Sequence, residues 1–311
     1  MNRQSKMIIV AVDGSEDALE ALAYLDLIYR PKHKLEVQIL YILPSLPPIL
    51  VADQDRQTKM RLLNIENKNL QMADRIVSEA KDILLKKGFL EEQIKGVYRK
   101  KQIGTARDIC NFAGDKGADA LIVARRGRSR LDAFLSGEIS SKILDYCLTC
   151  PVWVVEGAVT SKKVLIAMDS SENGIRAADH AGYMLARTDC HITLFHSKRH
   201  LRRFVPQEVI EAAPELEELW RNKAGEHIGP YIEKGKDLLI QAGLREEQIG
   251  SKVVDGSISA AADILKEARS NNFGTIVLGR KGHSSVKEYL MGSTTSKVLR
   301  DSGGLAVWVV H

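Results

Sequence analysis

The chain has 311 residues, 44% of them hydrophobic and 27% charged, with a formal net charge of +5. That length suits two domains, each large enough to bury a core. Apolar runs such as Val152 to Val155 are far too short to cross a membrane, and interleaved charges of both signs argue against nucleic-acid binding.

The first apolar run, Met7 to Val12, gives way at once to Asp13-Gly14-Ser15. It reads as a strand and not as a signal peptide, so the expected compartment is cytoplasmic. Further Val, Ile and Leu runs place strands in the first half at about 6–12, 35–42, 94–100, 119–124 and 151–155. Helical patterns lie between them, and the segment from Asp55 to Lys87 is long and amphipathic. Cys147-Leu-Thr-Cys150 has C-x-x-C spacing, but no second pair completes a zinc site. Buried thiols are the ordinary reading, and a redox pair is the alternative.

Small and polar residues from Glu156 to Ser161 separate two strands and divide the chain into 1–157 and 158–311. The second half then repeats the first. Gly88-Phe-Leu-Glu-Glu-Gln-Ile94 recurs as Gly243-Leu-Arg-Glu-Glu-Gln-Ile249. Arg125-Arg-Gly127 recurs as Arg280-Lys-Gly282, and Val152-Trp-Val-Val155 as Val307-Trp-Val-Val310. These pairs hold one spacing of about 155 residues, which means two whole domains and not short solenoid units. Strands are expected at about 163–168, 191–197, 249–254, 275–279 and 305–310. Helices are expected at about 172–187, 214–242, 258–270 and 293–301. Strands alternating with helices imply an α/β fold, a doubly wound parallel sheet of five strands in each half. Ligands in such sheets bind beyond the carboxyl ends of the strands.

The second half carries Gly279-Arg-Lys-Gly282, nine residues, then Gly292-Ser293-Thr294-Thr295. Glycines let backbone approach a ligand, and the free N–H groups at a helix start suit a phosphate. Ser293, Thr294 and Thr295 add hydroxyls, while Arg280 and Lys281 add positive charge. The same glycine spacing also fits a plain strand-to-helix connection with a Ser/Thr cap. No H-E-x-x-H, G-x-S-x-G or Walker-type motif occurs, so no catalytic or metal-ligating residue is assigned.

This G-x-x-G, nine residues, G-[S/T] pattern resembles the ATP-binding motif of the universal stress protein family. Asp13 and Asp169 at strand ends, Leu194-Phe-His196 and Cys150-Pro-Val-Trp-Val-Val155 support the resemblance, which runs once through each half. It implies a Rossmann-like strand order 3-2-1-4-5 and fifth strands paired across a pseudo-two-fold axis within one chain. It implies a stress-response protein whose second domain binds ATP, with magnesium as a candidate companion ion. Ala167, Met168 and Asp169 would line the adenosine end, and the backbone at Ser197 would meet the adenine. Leu278 and Gly279 would lie under the nucleotide. Gly282, Gly292, Ser293 and Thr294 would hold phosphates, with Lys281 facing them.

The first half departs from this pattern at Ala124, in place of glycine, and at Glu138, in place of Ser or Thr. Two negative charges about 4 Å apart cost roughly 4 kcal/mol at a dielectric of about 20, so ATP in the usual pose is disfavoured there. The run Arg125-Arg-Gly-Arg-Ser-Arg130 would suit another anion, a pairing with Glu138, or plain solvation. Lys198-Arg-His-Leu-Arg-Arg203 is read mainly as a solvated loop. His196 is expected to be a packed or hydrogen-bonded core histidine, and His283 an exposed loop residue. The leading function is a nucleotide-responsive regulatory protein. The rivals are a nucleotide-free interaction scaffold with decayed pockets and, further off, a slow ATPase. A protein partner is left unidentified, and a further homodimer is left open.

Overall fold

The computed structural model describes residues 5–29, 34–52, 55–125, 138–256, 259–281 and 291–311, apart from the side chains of Glu138 and Arg203. The chain forms two compact units, Met1–Val155 and Glu156–His311.

In the first unit the order is β1 (Lys6–Ala11), α1 (Glu16–Ile28), β2 (Leu35–Leu43), α2 (Pro48–Val51), α3 (Arg56–Lys86) and β3 (Ile94–Lys100). Then come α4 (Thr105–Lys116), β4 (Ala120–Ala124), α5 (Glu138–Tyr146) and β5 (Val152–Val155). The strands lie in the order β3-β2-β1-β4-β5, and every neighbour pairs in parallel. The second unit runs β6 (Lys163–Ala167), α6 (Glu172–Leu185), β7 (His191–Lys198), α7 (Gln207–Ala212), α8 (Glu215–Gln241) and β8 (Ile249–Asp255). It closes with α9 (Ala260–Ser270), β9 (Thr275–Gly279), α10 (Ser293–Asp301) and β10 (Ala306–Val310). Its order, β8-β7-β6-β9-β10, repeats that of the first unit, again all parallel. Each unit is thus a doubly wound, Rossmann-like sheet.

Central strands are covered on both faces, so they are continuous apolar runs and do not alternate. Ile8, Ile9 and Val10 in β1, and Val164, Leu165 and Ile166 in β6, are wholly buried. The outer strands β3 and β8 carry lysines, which suit an edge. The repeated Val-Trp-Val-Val strands bury their indoles. Trp153 meets Tyr24 edge-on at 6.5 Å, and Trp308 meets His180 at 5.9 Å. The same aromatic contact is therefore built twice.

Three details differ from the sequence expectation. β7 runs on through Lys198, so this lysine is a strand residue and not part of a loop. Its register with Asp255 in β8 is held by a 2.9 Å ion pair. The short helices α2 and α7 carry no 3.6-residue pattern long enough to be read from sequence. Helix α9 starts at Ala260 because Ser259 caps it, its Oγ accepting from the Ala262 N–H.

All four cysteines are buried, and none forms a disulfide. The Cys147 thiol hydrogen-bonds with those of Cys110 and Cys150, and these bonds together with burial push both of the latter far above the ordinary thiol range.

Candidate functional site

In the second unit, β6 connects to β7 on one side and pairs with β9 on the other. The winding reverses there, which leaves a crevice at the carboxyl ends of these strands. A cavity of about 650 Å³ fills that crevice, a volume in the range of small-molecule sites.

The β6 end supplies Ala167, followed by Met168 and Asp169. Asp169 accepts from the Ser171 hydroxyl, and Ser171 Oγ in turn accepts from the Gly174 N–H at 3.3 Å, capping α6. The carboxylate therefore orients the start of a helix as well as facing the cavity. His196, on β7, lies 2.8 Å through Nδ1 from the Met168 carbonyl. Burial holds its pKa below the usual value. The ring is accordingly neutral with its proton assigned to Nδ1, as a carbonyl acceptor requires. Ser197 follows on β7 and donates to Asp263 Oδ2 at 2.6 Å, tying the strand end to α9.

The β9 end supplies Leu278 and Gly279. A Cβ on Gly279 would lie 2.8 Å from both the Cβ and the carbonyl oxygen of Asn173. Glycine is thus required here by the close approach of α6. Beyond it, Arg280 O accepts from the Gly292 N–H at 2.8 Å, and Thr295 Oγ1 donates to Gly279 O at 2.9 Å. These two bonds fix the start of α10 over the strand end. Gly292 is the extended N-cap residue, and Ser293 and Thr294 form the first turn. The opening N–H groups of a helix have no partner within it, and they carry the positive end of its dipole. Lys281 lines the same cavity.

Ten residues singled out from the sequence, Ala167 through Thr294, therefore border one space. Gly282 and His283 lie outside the described residues. So do Arg126 to Gly137 of the first unit. There, Ala124 ends β4 where Gly279 ends β9, and Glu138 opens α5 where Ser293 opens α10.

Sequence reasoning missed the outer wall. Phe204, after β7, and Trp220, Lys223, His227 and Ile228 of α8 complete the cavity. Gly235 lets α8 lie close on the sheet, since a Cβ there would already stand 3.3 Å from Leu194 and Met168. The only sequence signal was a tryptophan in the highly charged run Glu215 to Lys223, which otherwise carries just Leu216 and Leu219 as apolar residues. The basic run after β7 is partly committed: Lys198 pairs with Asp255, and the Arg199 carbonyl accepts from Trp220.

The family model described as "Universal stress protein family" matches residues 5–156 and again 160–311. Universal stress protein YxiE of Bacillus subtilis (strain 168) is 25% identical over 145 residues, spanning 44% of this chain and 90% of that protein. A crystal structure of a universal stress protein from Archaeoglobus fulgidus DSM 4304 has a TM-score of 0.64 and 19% identity, covering 99% of each chain. A functionally unknown protein from Pseudomonas aeruginosa PAO1 has a TM-score of 0.54 and 17% identity, over 98% of this chain and 92% of that one. With two complete matches to one family model and the fold built twice, the chain belongs to the universal stress protein family as a tandem, two-domain member.

Proposed function

We propose that the second unit binds an adenine nucleotide, foremost ATP, and that the protein acts as a nucleotide-responsive regulator. One observation carries the reading: the strand-end residues 167–169, 278 and 279 share a single cavity with the first turn of α10. A helix N-terminus flanked by Lys281 offers N–H donors, hydroxyls and a positive field to a phosphate chain. The β6 and β7 ends leave a partly open space for a nucleoside beside it. The first unit carries Ala124 and Glu138 at the matching positions, and a carboxylate at the phosphate-holding helix repels the ligand. One nucleotide per chain follows.

The test is direct. Protein purified without added nucleotide is denatured, and the released small molecules are identified. The nucleotide-free chain is then titrated with ATP by calorimetry. One site per chain, abolished by changes at α10, is the expected result. No binding, or two equal sites, overturns the proposal.

A further inference from the structure

The wall formed by α8 does something that the strand ends do not. Trp220 is half-buried on a helix whose neighbouring residues are charged or exposed. Its indole N–H donates to the Arg199 carbonyl at 2.8 Å, which fixes the ring. Phe204 lies against it with ring centroids 5.1 Å apart and planes inclined at 49°. Phe204 itself is 54% exposed. Both rings border the cavity where it passes the end of β7. An aromatic pair held rigid and left partly in water loses little entropy on binding, and it gains contact when a flat ligand covers it. At the repeat's spacing, the first unit has Ile49 and Ile65 at the corresponding positions. The pair thus occurs in the unit with the intact phosphate loop and not in the other.

We infer that Trp220, backed by Phe204, is the specificity-determining residue of the nucleotide site: it stacks on the base and makes the site select nucleotides over bare polyphosphates. This rests on the nucleotide reading above, with the phosphates at α10 and the base toward Ser197. Base–aromatic stacking accepts any planar base, so Trp220 favours a nucleobase over none. Preference for adenine over other bases is then set by polar groups deeper at the strand ends.

The chain contains three tryptophans, and Trp153 and Trp308 are wholly buried. Tryptophan fluorescence, excited where tyrosine does not absorb, therefore reports on Trp220 as the one tryptophan that a ligand can touch. Calorimetry is run with ATP and with inorganic tripolyphosphate on the parent, Trp220→Ala and Trp220→Phe. Trp220→Ala should weaken ATP binding by roughly 5- to 150-fold, leave tripolyphosphate binding unchanged, and be largely rescued in Trp220→Phe. ATP should alter the parent's emission, and tripolyphosphate should not. Equal ATP affinity in parent and Trp220→Ala overturns the inference while leaving the nucleotide reading intact. Loss of ATP and tripolyphosphate binding in equal proportion overturns it too, since that marks a merely structural role. If Trp220→Ala does not fold, the parent decides: emission unmoved by saturating ATP refutes stacking. A parent that binds no ATP sinks the nucleotide reading instead.

Discussion

Placing a carboxylate where Ser293 opens α10 imports into the second unit the feature that sets the first apart. Ser293 borders the cavity, and its first-turn position puts a Glu side chain among the N–H groups assigned to phosphate. A carboxylate and a phosphate about 4 Å apart repel by roughly 4 kcal/mol at a dielectric of about 20. The positive helix end and Lys281 offset part of this, leaving about 3 kcal/mol. At 1.4 kcal/mol per tenfold, Ser293→Glu should weaken ATP binding roughly a hundredfold. The fold should survive, because acidic groups in a first helical turn are favourable by about 0.3–1 kcal/mol. The assay is calorimetric titration with ATP and with adenosine at one ionic strength, with thermal melting as the folding control. Adenosine has no phosphate, so its affinity should hardly change. If Ser293→Glu bound ATP as tightly as the parent, phosphate would not sit at α10 and the site assignment would be wrong.

Gly279→Ala forces a methyl to within 2.8 Å of the Asn173 backbone. Overpacking of this kind costs about 1–3 kcal/mol, so the melting temperature should drop by roughly 2–12 °C; an unchanged melt would show that α6 yields freely. Acid should destabilise the second unit before ordinary carboxylates titrate. His180 is held at a pKa of about 3 by burial and by His311, and burial also lowers that of His196. The unfolded chain takes up these protons first, so stability is complete above a pH of about 6.5 and falls as pH drops toward His180's value. His180→Tyr, which copies Tyr24 of the first unit, should lessen the slope of melting temperature against pH between 7 and 5, with His196 supplying the remainder; an unaltered slope would exclude His180 as a cause. The buried thiols should react with an aromatic disulfide reagent only as fast as the protein opens, and all four at once in denaturant. Rapid native labelling of Cys147 or Cys150 would revive the redox reading of C-x-x-C.

The repeat, the ten main strands and the helices between them were legible because their signals are local. Val-rich runs, helical periods and the Gly292-Ser-Thr-Thr start each lie within a few neighbours of one another. The ten residues at the cavity edge were legible by another route. The Gly-Ser-Thr loop pointed to the start of α10, and the resemblance to the universal stress protein family supplied the strand-end positions, which converge with it where the winding reverses. Other features had no local signal. Phe204 and Trp220 lie on a connection and a long helix whose position over the sheet depends on Gly235 meeting Leu194 and Met168. The need for glycine at Gly279 comes from Asn173, on a helix more than a hundred residues earlier in the chain. Sequence by itself thus determined the fold and its duplication, because backbone pattern sets them, while the floor of the cavity was named through the family resemblance. The aromatic wall, the packing reason for Gly279 and the Ser197–Asp263 tie were decided only in tertiary structure, because each depends on how closely two remote elements approach.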